Sequence, residues 1–561
     1  MSVEVDRKRL SQSKMLQLLL RDIKPTEMVD VYLSDRDDPH DYLIYCALIP
    51  TDKIEHSMSN PNWDLSIGNG MPGVVLHGQE GDSEVTYLRI GNEEGIEPLV
   101  IARNFHDIRK SYKEICEEFR LFHNLYHDRK TNQYIKIDDT GNEHVVAELE
   151  PERISIRLKE IRQFLAIKEM HLAIQFNTVE KSSFTLEELG LKKKKDKNRE
   201  DLLIWNRHYD DCYLPGNYLA FSILHGKRLI TPLPKEKSGF WGFSEEEPKK
   251  YVEFIIGIDE NGDEVFHSSN PELLANNFGS NPGAPLYLTP VHFRKQVLDK
   301  YYQRPSKYSL EDDILRCGCL WNMDLDNHND DKVCAWLGDL GRDLPYEEQL
   351  HWRADNIPPT GDMSDTFLQR QIYAQFTASD RPEHVFQSLY EELTEACEEC
   401  LGFPLLFPLG ADDMHHFQCL HVPSTDEQKD FDELILGLAK ILIDSLNKKQ
   451  LERLIPDDQK EELKHSISYL EAAFAACGIT EAENHMVFLR RLQSLRSSGP
   501  AHRKGKKYRK IATKFGIDSQ NLRSVFSGIL RKATEFLKFL IDVVHSAKLI
   551  SSEFTPPKNA N

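Results

Sequence analysis

From Leu522 to Val544 the residues Leu522, Val525, Phe526, Ile529, Leu530, Ala533, Leu537, Leu540, Ile541 and Val544 return every third or fourth position. That spacing puts them on one face of a single helix about six turns long. An apolar stripe of this length has to be covered by other helices. Candidates precede it. Residues 430–447 carry Phe431, Leu434, Ile435, Leu438, Ile441, Leu442 and Leu446 at helical spacing, and residues 457–477 carry Leu463, Ile467, Leu470 and Phe474. Thr480 and Glu483 form a capping-box pair that opens a helix through Phe488, Leu489, Leu492 and Leu495, which Gly499 and Pro500 close. Asp518 is placed to cap the last helix. The C-terminal part, residues 425–548, is therefore expected to be a helical bundle, with a polar tail at 549–561.

The bundle contains a reversal of charge. The chain carries a formal net charge of -21, yet no Asp or Glu occurs between Asn484 and Ile517. Arg490, Arg491, Arg496, Arg503, Lys504, Lys506, Lys507, Arg509, Lys510 and Lys514 all fall in that span. A basic island on an acidic chain attracts an anion, and a sugar-phosphate backbone is the commonest such partner. Inside the island Arg496 and His502 are separated by five residues, Ser-Ser-Gly-Pro-Ala.

An Arg and a His at this spacing, ahead of the last long helix of a bundle, resemble the HEPN superfamily of ribonucleases and nucleotide-binding modules. The likeness spans about a quarter of the chain. It implies a metal-independent endoribonuclease with no cofactor, in which Arg496 and His502 are the catalytic pair and two copies of the chain converge as a homodimer. It also implies a triggered toxin or anti-phage defence role. The chemistry is sound on its own terms. A neutral imidazole can take the proton from a ribose 2'-hydroxyl, and a guanidinium can stabilise charge growing on the attacked phosphate. Arg503, Lys504, Lys506, Lys507, Arg509 and Lys510 would hold the RNA backbone without reading its sequence. The rival reading keeps the same basic segment as a non-catalytic nucleic-acid or nucleotide docking surface on a sensor or adaptor.

The rest of the chain reads differently. At 561 residues about three domains are expected, and the overall class is α+β. Residues 1–190 form a β-rich α+β domain. A short helix at 14–22 precedes strands at 42–48, 85–90, 98–102, 134–137 and 144–149, with a helix at 114–126 and a strand, helix and strand over 154–176. The charge run at 192–199 reads as a solvated linker, which sets the first boundary. Residues 200–424 form a mixed central domain. Turns at Asp138–Gly141 and Asp259–Gly262 lie in similar heptapeptides, explained by shared turn chemistry rather than by duplication. The clearest hairpin joins 319–325 to 332–337. No apolar run is long enough for a membrane span and no secretory leader is visible. Ten scattered cysteines give no disulfide framework, so the cytoplasm is the expected compartment.

Three further groups of residues could carry chemistry. Asp339, Asp343 and Glu347 could hold a divalent cation, as in a metal-dependent hydrolase. Asp343 as a helix cap, with Pro345 in the first turn and the carboxylates favoured by the helix dipole, explains them without a ligand. Cys317, Cys319 and Cys334, with Cys212 as a fourth, lack the paired spacing of a zinc site. His415, His416, Cys419 and His421 sit in a segment read as extended, where buried thiols and ordinary histidines are preferred to a metal centre. No metal site is expected.

Overall fold

Apolar residues that alternate along the first 230 positions build strands, and those that recur at helical spacing after 380 build helices. The computed structural model describes residues 2–61, 65, 73–77, 84–88, 95–212, 217–239, 248–276, 278–311, 313–375, 379, 381–460, 463–498, 506–517, 521–546 and 549, without the side chains of 73–77, 84, 506, 507 and 509. The chain divides into two units, Met1–Pro248 and Lys249–Asn561. The protein is α+β, with a β-rich N-terminal region and a helical C-terminal region.

The first unit is organised on one sheet of ten strands among the described residues. Their order is Lys194–Glu200, Leu203–Asp211, Ala220–Ile230, Met170–Ser182, His40–Pro50, Met28–Asp35, Arg153–Arg157, Glu143–Glu150, Gln133–Ile137 and Tyr126–Asp128. Each neighbouring pair is antiparallel. Leu172, Ile174 and Phe176 of the central strand join a core with the helices Lys14–Leu20 and Leu158–Lys168. Gly226 lets the first of these come close, since a Cβ there would lie 2.7 Å from Leu19 Cδ2. Ala47, Ile49, Ala173 and Leu229 pack in a second cluster with Met58, Leu65 and Ile96.

Two sequence expectations fail in this unit. The charge run at 192–199 is not a linker: Lys194–Glu200 is the outermost strand, bonded on one side to Leu203–Asp211. Its side chains stay largely in water, with Lys193 on Asp210 at 2.5 Å and Lys194 on Asp196 at 2.8 Å, so charge is tolerated and no apolar alternation marks it. The expected domain limits at 190 and 200 therefore fall inside the sheet, and the unit runs on to Pro248. The helix expected at 114–126 is confined to Glu117–Phe122, between strands Tyr112–Ile115 and Tyr126–Asp128.

The second unit holds two cores. In the first, Phe254, Phe293 and Trp352 pack together, the last two edge to face with centroids 4.7 Å apart. The expected hairpin is not formed. Trp321–Asp324 pairs with Ile314–Cys317, whereas Lys332–Trp336 pairs with Pro290–Arg294. Each residue from Lys332 to Trp336 is buried, so the strand belongs inside this core rather than at the edge of a small meander. Between them only Asp326 and Cys334 form a bridge. The strand then enters the helix Leu337–Asp343, whose Gly338 and Gly341 permit close contact: added Cβ atoms would stand 2.3 Å from the Tyr287 ring and 1.9 Å from the Ser269 carbonyl oxygen.

The second core is the helical bundle, and it begins earlier than residue 425. Phe386, Leu393, Ala396 and Cys397 of the helix Pro382–Cys400 lie in one buried cluster with Phe431, Leu438, Phe474, Leu489, Phe526 and Leu537. The central domain expected at 200–424 is thus split between the sheet of the first unit, the small mixed core and this bundle. Gln428–Ala439 continues as a π-helical turn, Lys440–Asp444; the helices Ser466–Ala476, Glu483–Ser498 and Leu522–His545 follow. Asn521 caps the last helix, its Oδ1 accepting from the Ser524 amide at 2.8 Å; Asp518, expected in that role, lies outside the described residues, as does the tail from 550 on. No helix among the described residues is long and apolar enough to cross a membrane.

Candidate functional site

The basic island is carried by two helices. In Glu483–Ser498 the buried residues Met486, Leu489, Leu492 and Leu495 repeat every three positions and face the bundle core. Arginines on the remaining surface are turned outward. Arg490 pairs with Glu471, and Arg496, in the last turn, pairs with Asp444 at 2.7 Å. The side chains of Arg496 and Asp444 keep 29% and 46% of their exposure, so the pair is open to solvent.

Asp444 reaches this place through an irregularity that sequence spacing does not reveal. The helix over 428–439 would run on regularly, but Lys440–Asp444 winds as a π turn, with the Ser445 amide donating to the Lys440 carbonyl five residues back. The Ser445 hydroxyl donates to the same oxygen at 2.8 Å. Such turns often occur at functional sites, because they re-aim the side chains that follow.

The second carrier is the helix Lys506–Phe515, in a stretch where sequence reasoning sees only a basic segment. Tyr508 and Ala512 are buried, and Ile511 and Phe515 pack on the bundle core. Lys510 and Lys514 are exposed. Gly516, with φ of +76°, ends the helix in the left-handed conformation, and the Ile517 amide returns to the Ala512 carbonyl at 3.0 Å. The signal was present as Tyr508, Ile511, Ala512 and Phe515 at i, i+3, i+4 and i+7, obscured by the lysines between them.

Of the predicted site, Arg496 and Lys510 are thus placed at the surface of the bundle. His502, Arg503 and Lys504 lie outside the described residues, as do the side chains of Lys506, Lys507 and Arg509, whose backbone belongs to the basic helix. An exposed pair such as Arg496 and Asp444 is worth about 0.2–1 kcal/mol. A phosphate oxygen, which accepts hydrogen bonds from guanidinium as well as a carboxylate does, can replace Asp444 at that cost.

The alternative groups resolve into structural contacts. Asp339 accepts from the Tyr287 hydroxyl at 2.8 Å and pairs with Arg342 at 2.9 Å; burial lifts its carboxyl above the ordinary range. Asp343 pairs with Arg342 at 2.6 Å and caps nothing: the residue before the helix Tyr346–Ala354 is Pro345, which makes no side-chain cap. Glu347 is exposed, while its neighbour Glu348 is buried on Lys300, Tyr301 and Tyr308. Cys317 and Cys334 are buried, Cys319 is exposed, and Cys212 belongs to the first unit. The segment with His415 and His416 is not extended: His415–Gln418 forms one turn of helix, in which a two-residue alternation has no meaning. Among the described residues, no three His, Cys, Asp or Glu are placed to share a metal ion.

No family model, curated protein or solved structure matches this chain at a significant level.

Proposed function

We propose that the helical bundle binds RNA along its basic surface and cuts it without a metal ion. His502 takes the 2'-hydroxyl proton, the 2'-oxygen attacks the phosphorus while Arg496 stabilises the charge that develops, and the P–O5' bond breaks with its oxygen taking up a proton, which leaves a 2',3'-cyclic phosphate on one product and a 5'-hydroxyl on the other. Two copies form the working homodimer, and the cut is the output of a triggered defence or toxin protein that resembles the HEPN superfamily. The observation that carries this reading is Arg496 itself. It stands at the end of a helix in a span free of acidic residues, held by a single exposed carboxylate that a phosphate can replace.

The test is incubation of the full chain with single-stranded RNA in the presence of a chelator. Cleavage with cyclic-phosphate ends, lost in His502→Ala and in Arg496→Ala, is expected. Failure of the parent protein to cut any RNA would sink the catalytic reading. The occupied state of Arg496 favours a second reading, in which the same surface docks nucleic acid without turnover. That reading predicts binding by the parent protein, weakened by added salt, with no product at any time.

A further inference from the structure

A cleft of about 310 Å³ opens in the second unit between Tyr302, the segment 415–424 and the helix Gln428–Ala439. This is the low end of the range for small-molecule cavities. The helix contributes Asp430, Glu433, Leu434 and Gly437, which at i, i+3, i+4 and i+7 share one face. Gly437 makes room for the His416 ring, since a Cβ there would stand 3.3 Å from its Nδ1. Tyr302 and His421 supply a flat wall, their rings stacked 3.7 Å apart with planes 3° from parallel.

Carboxylates dominate the polar lining of this cleft, beside Gln303 and the Ser424 hydroxyl, which donates to Asp299 at 2.5 Å. Asp299, Asp430 and Glu433 line it, and no lysine or arginine is among the described lining residues. His421 Nδ1 faces the Cys419 carbonyl at 2.6 Å and must donate to it, so Nε2 of the neutral ring is an acceptor. Burial holds that imidazole below its usual range. Lys440 Nζ can only donate, and it gives to His416 Nε2 at 3.0 Å and to Asp413 at 2.7 Å, which fixes His416 as neutral too. Lys440 is therefore engaged by His416 and Asp413, and Arg523, whose Nε donates to the carbonyl of the lining residue Pro423 at 3.2 Å, is paired with Asp331 at 2.9 Å. Cys419 does not act as a nucleophile. Its thiol donates to the Tyr302 carbonyl at 2.9 Å, and burial pushes it up to about 11.

Three carboxylates, an acceptor imidazole and aromatic faces, with no lysine or arginine among the described lining residues, repel phosphate and attract a donor-rich positive ligand. We propose that this cleft binds a small organic cation with a guanidinium or ammonium head, bound by Asp430 and Glu433 and lying against the Tyr302 and His421 rings. None of its described lining residues belongs to the acid-free span, so the site shares no residue with the proposed RNA surface.

Calorimetric titration of the full chain with agmatine, spermidine and benzamidine tests this. At least one is expected to bind saturably, one per chain, and the double variant Asp430→Asn, Glu433→Gln should weaken it tenfold or more while its circular dichroism stays that of the parent. Arg496→Ala should leave cation binding unchanged. The proposal is overturned if none of the three binds, if the double variant binds as tightly as the parent, if Arg496→Ala abolishes binding, or if inorganic phosphate occupies the cleft instead.

Discussion

Lys295 is among the most thoroughly buried charges of the second unit, 5% exposed, and its Nζ donates to the carbonyls of Asn327 at 2.9 Å and Asn329 at 2.6 Å. Burial, helped by the nearby Arg381, pushes its ammonium down to about 7. The folded value lies below that of an unfolded lysine, so between about 7 and the ordinary value of 10.5 the unfolded chain binds a proton that the folded chain has released. Stability contributed by this group therefore rises with pH across that window and is lowest below it. Denaturant midpoints measured at pH 7 and pH 9 should show this rise, and Lys295→Met should flatten it. Arg496 is more open, its side chain keeping 29% of its exposure. Arg496→Ala should change unfolding free energy by less than about 1 kcal/mol, because exposed pairs contribute little. Asp444→Asn removes the carboxylate that competes with phosphate, and RNA affinity read by fluorescence anisotropy should increase several-fold. Arg496 was legible in the sequence because it lies in a span without acidic residues. Asp444 was not, since it is 52 residues away and is presented by a π turn that leaves no trace in apolar spacing.

At the level of elements, the helix Leu337–Asp343 is tolerated only because Gly341 brings it against the Ser269 backbone. A carbonyl oxygen cannot move aside as a side chain can, so Gly341→Ala should destabilise the second unit by roughly 3 kcal/mol or more, read from its thermal transition. The basic helix makes a different prediction. If Lys510 and Lys514 each neutralise one phosphate of single-stranded RNA, replacing both by Gln should reduce the salt slope of binding by about 1.4. Long amphipathic helices and the succession of strand, helix and strand from Arg153 to Ser182 could be read from residue order, because their periods of 3.6 and 2 are strong and uninterrupted. Strand partners could not. Lys332–Trp336 is apolar enough to be recognised as a strand, but nothing in its composition says that it will bond to Pro290–Arg294 rather than to the nearer Trp321–Asp324. Alternation fixes which face is buried and leaves the neighbour to tertiary packing.

For the whole chain, the boundaries followed burial rather than composition. The helix Pro382–Cys400 was visible, yet its membership of the bundle rests on Phe386 and Leu393 meeting residues far along the chain. A fragment 425–561, cut where composition changes, would expose the bundle residues that Phe386 and Leu393 cover and should bind a hydrophobic dye and melt without cooperativity. The fragment 249–561 retains both cores of its unit and should unfold in a sharp transition by circular dichroism. The charged edge strand Lys194–Glu200 bears on the behaviour of the protein in concentrated solution. Among the described residues no strand borders its outer row of amides and carbonyls, and Lys194, Lys195, Lys197 and Arg199, against Asp196 and Glu200, leave a net positive border that discourages a second molecule from zipping onto it. Exchange of Lys194, Lys195 and Lys197 for threonine would remove that positive excess and make the border adhesive, with light scattering showing molecular mass that grows with concentration.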